Sequence, residues 1–139
     1  MRKLGILVAT AFLLAGCYSD SANLQSSQGN PSFFFKNDLY CKFLTDQQTG
    51  EKTESYEGKN VSFVGLNTNQ PRVLFPSGSG SQLFQKKYET DRTLVIQLVA
   101  SWTGSTDTFT INKVDGTFSE TGAGTILGGY TFTRTGTCK

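Results

Sequence analysis

Residues 93–102 read T-L-V-I-Q-L-V-A-S-W, and this stretch decides the fold. Leu94, Ile96, Leu98, Ala100 and Trp102 share one side of an extended chain, while Val95, Gln97, Val99 and Ser101 share the other. Alternation with period two is the signature of a strand, because successive side chains point to opposite faces of a sheet. An amphipathic helix would instead space its apolar residues by three and four. Next along the chain, residues 108–113 put Phe109 and Ile111 on one face and Thr108, Thr110 and Asn112 on the other. Asp115-Gly116 then supplies a tight turn before a further strand at 117–121, which is a hairpin pattern.

The same alternation of β-branched or aromatic runs with turn clusters extends over everything from Phe33 onward. Further strands are expected at 39–44, 53–56, 60–66, 72–75, 83–88 and 126–135, about eight in all, and helix-period patterns are missing. The pairs Thr49-Gly50, Thr103-Gly104, Thr121-Gly122 and Thr135-Gly136 are expected at strand ends, where glycine permits the positive φ that turns need. Short consecutive strands joined by tight turns predict a small all-β domain, an antiparallel up-and-down barrel with a sandwich as the alternative. Cys41 lies in the first firm strand and Cys138 one residue from the end, so a Cys41–Cys138 disulfide would join the first and last strands of the barrel. Closing so long a loop restricts the unfolded chain by roughly 4 to 5 kcal/mol.

Upstream of the domain the composition changes twice. Residues 1–16 carry Arg2 and Lys3, then an apolar run from Leu4 to Leu14, then small residues, which is the layout of an export signal. The run is too short to span a bilayer. Leu14-Ala15-Gly16-Cys17 resembles the lipobox of bacterial lipoproteins. That resemblance implies cleavage before Cys17, a diacylglycerol such as one bearing palmitate on its sulfur, and stable anchoring in the cell envelope. Tyr18 follows the cysteine where an Asp would favour the inner membrane, so the resemblance points to the outer membrane, on its periplasmic or surface face. Residues 18–32, fifteen of them and rich in Ser, Asn, Gln and Gly, form with lipidated Cys17 a flexible tether spanning about 20 Å on average and about 50 Å at full stretch. Residues 33–139 are the folded domain.

Charge and composition exclude several classes of function. Removing Arg2 and Lys3 leaves eleven basic and eleven acidic side chains, so no basic excess is available to neutralise nucleic acid. The chain has no histidine, which removes Ser-His-Asp and Cys-His catalysis and imidazole metal ligands. With one cysteine lipidated and two paired, no thiolate remains for catalysis or zinc. The loop Pro76-Ser77-Gly78-Ser79-Gly80-Ser81-Gln82 lacks the Lys and Ser/Thr of a phosphate-binding P-loop. No cofactor and no metal are expected, and the protein is expected not to be an enzyme.

What remains is contact. Ser77, Ser79 and Ser81 are candidate partner contacts, because backbone donors and small hydroxyls on a loop can enter a partner's cleft. Phe33, Phe34 and Phe35 are the most apolar run outside the signal, and in extended form they must point rings to both faces. One reading makes them a plug covered by the barrel, the other an exposed contact patch. The expected function is a non-catalytic binding module at the cell envelope, taking an envelope protein, a glycan or a small apolar ligand. Two alternatives stand beside it. One is an accessory subunit docking onto an envelope complex. The other follows from Tyr40-Cys41 and Ser79-Gly80, which resemble motifs of the lipoprotein inhibitors of C-type lysozyme, small exported β-barrels. That resemblance implies inhibition of a cell-wall hydrolase, with Ser79 and Lys86 or Lys87 as contacts, although Leu83 stands where the inhibitors' loop carries a tyrosine.

Overall fold

The computed structural model describes residues 33–50, 54–76, 80–100, 104–125 and 129–139. The signal, Cys17, the tether, Ser77, Ser79 and Trp102 lie outside the described residues. Every regular element among the described residues is a strand: β1 (Leu39–Gly50), β2 (Asn60–Val64), β3 (Arg72–Leu74), β4 (Ser81–Leu83), β5 (Gln85–Glu89), β6 (Thr93–Ala100), β7 (Ser105–Asn112), β8 (Thr117–Gly124) and β9 (Tyr130–Cys138). They form one antiparallel sheet in the order β4-β3-β2-β1-β9-β8-β7-β6-β5. Apart from β4 and β5, which stand at the two ends of that order, each strand neighbours its predecessor in the chain, and β9 returns to β1, which is the up-and-down meander expected from the short spacings.

The sheet curls into a nearly closed barrel. Its two outermost strands, β4 and β5, are separated only by Phe84, so they act as one bent strand. Below β4 that strand keeps bonding toward β3, through Phe84 N–H to Pro71 O (2.8 Å) and Lys86 N–H to Asn69 O (3.0 Å). Its other edge pairs with β6, from Gln85↔Gln97 to Glu89↔Leu94. The long β1–β9 ladder closes the other side, and Cys41 and Cys138, which face each other in its register, are joined by a disulfide.

Several boundaries differ from the sequence reading. Residues 54–56 are not a strand; they lie beside β1, where the Tyr56 amide donates to the Asp46 carboxylate (2.7 Å). β1 runs six residues past Leu44, and the 83–88 segment is split at Phe84. Gly50 and Gly104 do sit at turns with positive φ. Gly122 and Gly136 instead lie inside strands, where they make room for rings: a Cβ on Gly122 would stand 2.1 Å from the Phe132 ring, and one on Gly136 2.3 Å from the Phe118 ring.

The barrel interior has two tiers. The end where β1 starts and β9 finishes, called the lower end here, is filled by Leu39, Phe43, Phe63, Leu94, Ile96, Phe109, Ile111 and Phe118, all buried. Phe63 meets Phe109 and Phe118 edge-on at ring separations of 5.0 and 5.6 Å, an arrangement that adds about 1 kcal/mol per pair beyond area burial. Phe33 closes this end, with its ring packed over Gly116 at the β7–β8 turn. Phe35 packs partly against the core, and Phe34 points outward, 75% exposed. The run is therefore a plug with one ring left in solvent.

Candidate functional site

The upper tier is built by a single irregularity in β1. The register against β9 shifts between Phe43 and Thr45, so Leu44 and Thr45 both face out and the alternation restarts one residue late. Strict alternation from Phe43 would point Asp46 at solvent. The bulge instead turns Asp46 into the barrel, directly opposite Arg134 of β9, which in turn lies opposite Glu120 of β8. Asp107 of β7 stands diagonal to Glu120, since its own cross-strand partner is Gly122. Four charged side chains on four adjacent strands thus converge above the phenylalanine tier.

The geometry is that of a lock around one guanidinium. Arg134 Nε lies 3.0 Å from Asp46 Oδ1 and Arg134 Nη1 donates to Glu120 Oε2 at 3.2 Å. Its Cζ stands 4.1 Å from the Phe132 ring centre and 4.3 Å from that of Tyr56, one cation–π contact on each. The Asp46 and Glu120 side chains have no exposed surface and Arg134 retains 6%. Asp46 Oδ2 also accepts from Gln48 Nε2 (2.9 Å) and from the Tyr56 amide. Burial works against the Asp46 charge, but these hydrogen bonds and Arg134 together hold its carboxyl below the usual range.

Asp107 goes the other way. Burial, then the neighbouring charge of Glu120 and a hydrogen bond to it, push the Asp107 carboxyl up to about 9. Burial also raises Glu120, opposed by Arg134 and by the hydrogen bond from Asp107. No N–H or hydroxyl reaches Asp107 Oδ1 or Glu120 Oε1. A proton held by this neighbouring pair supplies the donor that the surroundings do not, and burial keeps it there at neutral pH.

A protonated carboxyl beside an ionised one is also how general acid–base pairs are made. Here, however, Arg134 occupies the space between Asp46 and Glu120 and the ring faces of Tyr56 and Phe132 cover it. The cluster links the upper halves of β1, β8 and β9 through Arg134, with Asp107 of β7 beside Glu120. Among the described residues no group of three or more His, Cys, Asp or Glu side chains is placed to hold a metal ion.

The residues singled out from the sequence are not gathered at one place. Cys41 and Cys138 form the β1–β9 rivet in the lower half. Ser81 is exposed at the start of β4, its hydroxyl taking a hydrogen bond from Arg72 Nη1 (3.2 Å). Ser77 and Ser79 lie outside the described residues, in the chain between β3 and β4. Lys86 pairs with Glu89, and hydrogen bonds from Lys86 and then Lys113 hold that carboxyl below its usual range against a smaller effect of burial. Phe33 to Phe35 are at the lower end. Asp46, Asp107, Glu120 and Arg134 were not singled out at all. No family model, no curated protein and no solved structure matches the chain.

Proposed function

We propose that this chain is a lipid-anchored, non-catalytic binding module of the bacterial cell envelope, which meets an envelope protein through its outer surface. The observation that supports this most is the interior seen among the described residues: packed rings make the lower tier, and above them Arg134 is held between Asp46 and Glu120. A small barrel that carries a ligand inside needs an interior left open. The outer wall offers more. Leu74, Leu83 and Val99 are 42%, 48% and 56% exposed on β3, β4 and β6, beside Arg72 and Ser81. The described chain begins at Phe33, packed over Gly116 at the lower end, so a tether upstream of it would join the domain at the end opposite the upper rim.

The test is a photoreactive amino acid at Leu83, activated in the producing cells. A single envelope protein bound covalently at that position is expected, and irradiation that yields no protein adduct overturns the reading. One observation favours a second reading, inhibition of a cell-wall hydrolase: Ser81 is exposed at the start of β4, with its hydroxyl bonded by Arg72. Titrating lysozyme with the protein decides it, since an unchanged hydrolase rate at excess protein removes inhibition.

A further inference from the structure

Outside the barrel, near its lower end, the ladders β2–β1–β9 carry six outward side chains in two rows. Ser62, Tyr40 and Lys139 make one row, with Lys139 N–H donating to Tyr40 O (3.0 Å); Asn60, Lys42 and Thr137 make the other. They line a groove of about 370 Å³, within the range of small-ligand sites. No acidic side chain lines it. Lys42 and Lys139 both line the groove, and neither enters an ion pair among the described residues. Tyr40, 70% exposed, supplies a ring edge and a phenol, and Ser62, Asn60 and Thr137 supply neutral donors and acceptors. The Cys41–Cys138 disulfide lies on the inner side of the same strands and fixes the spacing of the floor.

Two further facts say what this surface meets. The chain enters the fold at Phe33, over the β7–β8 turn at the lower end, so the tether and the groove share one end of the molecule. Phe34, next in the chain and 75% exposed, presents an aromatic ring there with no covering partner among the described residues, as interfacial side chains do at the headgroup level. We propose that the groove of Tyr40, Lys42 and Lys139 binds the phosphate of an anionic glycerophospholipid headgroup in the bilayer that anchors the chain, with Phe34 entering the interface beside it. The two ammonium groups take the phosphodiester charge, and the hydroxyls of Ser62 and Thr137 with the Asn60 amide suit the glycerol. Binding would seat the domain lower end down and turn the upper rim outward. The orientation rests on the lipid-anchor reading; the chemistry of the groove does not.

The test uses the full chain, extracted from its own membranes and reconstituted into nanodiscs containing a headgroup-photoreactive phosphatidylglycerol, or the phosphatidylcholine equivalent. Adducts are mapped by peptide mass spectrometry, and the mass of the peptide starting at Cys17 reports acylation independently. The expected result is labelling of the peptides bearing Tyr40 and Lys139 roughly tenfold above phosphatidylcholine, falling by roughly tenfold in Lys42→Gln/Lys139→Gln. Both lysines are exposed, and the variant's unchanged circular dichroism checks its fold. Equal labelling by the two lipids, or labelling that survives the double substitution, overturns the proposal. Labelling abolished by millimolar inorganic phosphate at constant lipid would assign the groove to free phosphate and overturn the headgroup source. If Cys17 proves unacylated while the groove is still labelled from added phosphatidylglycerol, the anchor reading fails and the headgroup site stands.

Discussion

Raising the pH from 5 to 8 should weaken this protein, and Asp107 is the reason. In the unfolded chain an aspartate ionises near 4, whereas in the fold its carboxyl stays protonated up to about 9. Between those values the native state therefore binds one more proton than the unfolded state. Stability contributed by that proton is full below pH 4 and is lost as pH rises toward 9, at up to about 1.4 kcal/mol per pH unit. Glu120, also raised, adds to the loss in the same direction. Asp46 and Glu89, both lowered, contribute stability that is lost only as pH falls below about 4, outside the window. The absence of histidine leaves no other side chain with an ordinary pKa between 5 and 8, which makes the measurement clean. Three pH units correspond to about 4 kcal/mol, or a fall in melting temperature of about 15 °C for a domain of this size. Thermal unfolding followed by circular dichroism at pH 5, 6, 7 and 8 reads it directly. Asp107→Asn keeps a donor toward Glu120 and removes the Asp107 titration, so its melting temperature should fall much less over the same range, the remaining slope being that of Glu120. A wild-type melting temperature that is constant or rises from pH 5 to 8 would falsify the shared-proton account, as would an Asp107→Asn variant that keeps the full slope.

Arg134→Ala strands the Asp46 and Glu120 carboxylates inside the barrel and should cost about 3 to 5 kcal/mol in urea unfolding; a loss under 1 kcal/mol would mean the cluster is solvated. Gly136→Ala places a methyl 2.3 Å from the Phe118 ring and 2.4 Å from the Lys42 carbonyl, with an expected loss of about 3 kcal/mol, whereas Gly58→Ala meets nothing within 4 Å and should lose about 1 kcal/mol through its positive φ alone. Similar losses at the two glycines would contradict the ring-over-glycine packing. Reducing Cys41–Cys138, or Cys41→Ser/Cys138→Ser, should lower stability by roughly 2 to 5 kcal/mol and leave the β-sheet circular dichroism in place.

The parts of the fold that were legible are those where period two runs unbroken. Residues 93–100 and the Phe109/Ile111 face show in the sequence because their inward positions are apolar, and the structure buries Leu94, Ile96, Phe109 and Ile111 as that pattern requires. The Cys41–Cys138 bridge was legible because a meander brings its first and last strands together. The charged tier was not. Carrying the inward parity two residues beyond Phe109, Phe118 and Gly136 reaches Asp107, Glu120 and Arg134, yet an ionisable residue at such a position reads as a strand end because burying an unpaired charge is costly. Only the partners on three other strands make the position tolerable. Asp46 was hidden further, since nothing in Phe43-Leu44-Thr45 announces the bulge that reverses its facing. Gly122 and Gly136 read as strand-end glycines in the sequence because glycine's most common use is conformational freedom, and the rings that need their missing side chains lie on neighbouring strands.

The central claim, an anchored module that works by contact, is tested most directly by chemical cross-linking in the producing cells, with affinity capture and quantitative mass spectrometry of wild type against Cys17→Ala. The account predicts one envelope protein captured reproducibly with wild type and lost when Cys17 is replaced. Capture that is the same with and without Cys17, or no captured protein at all, would contradict it.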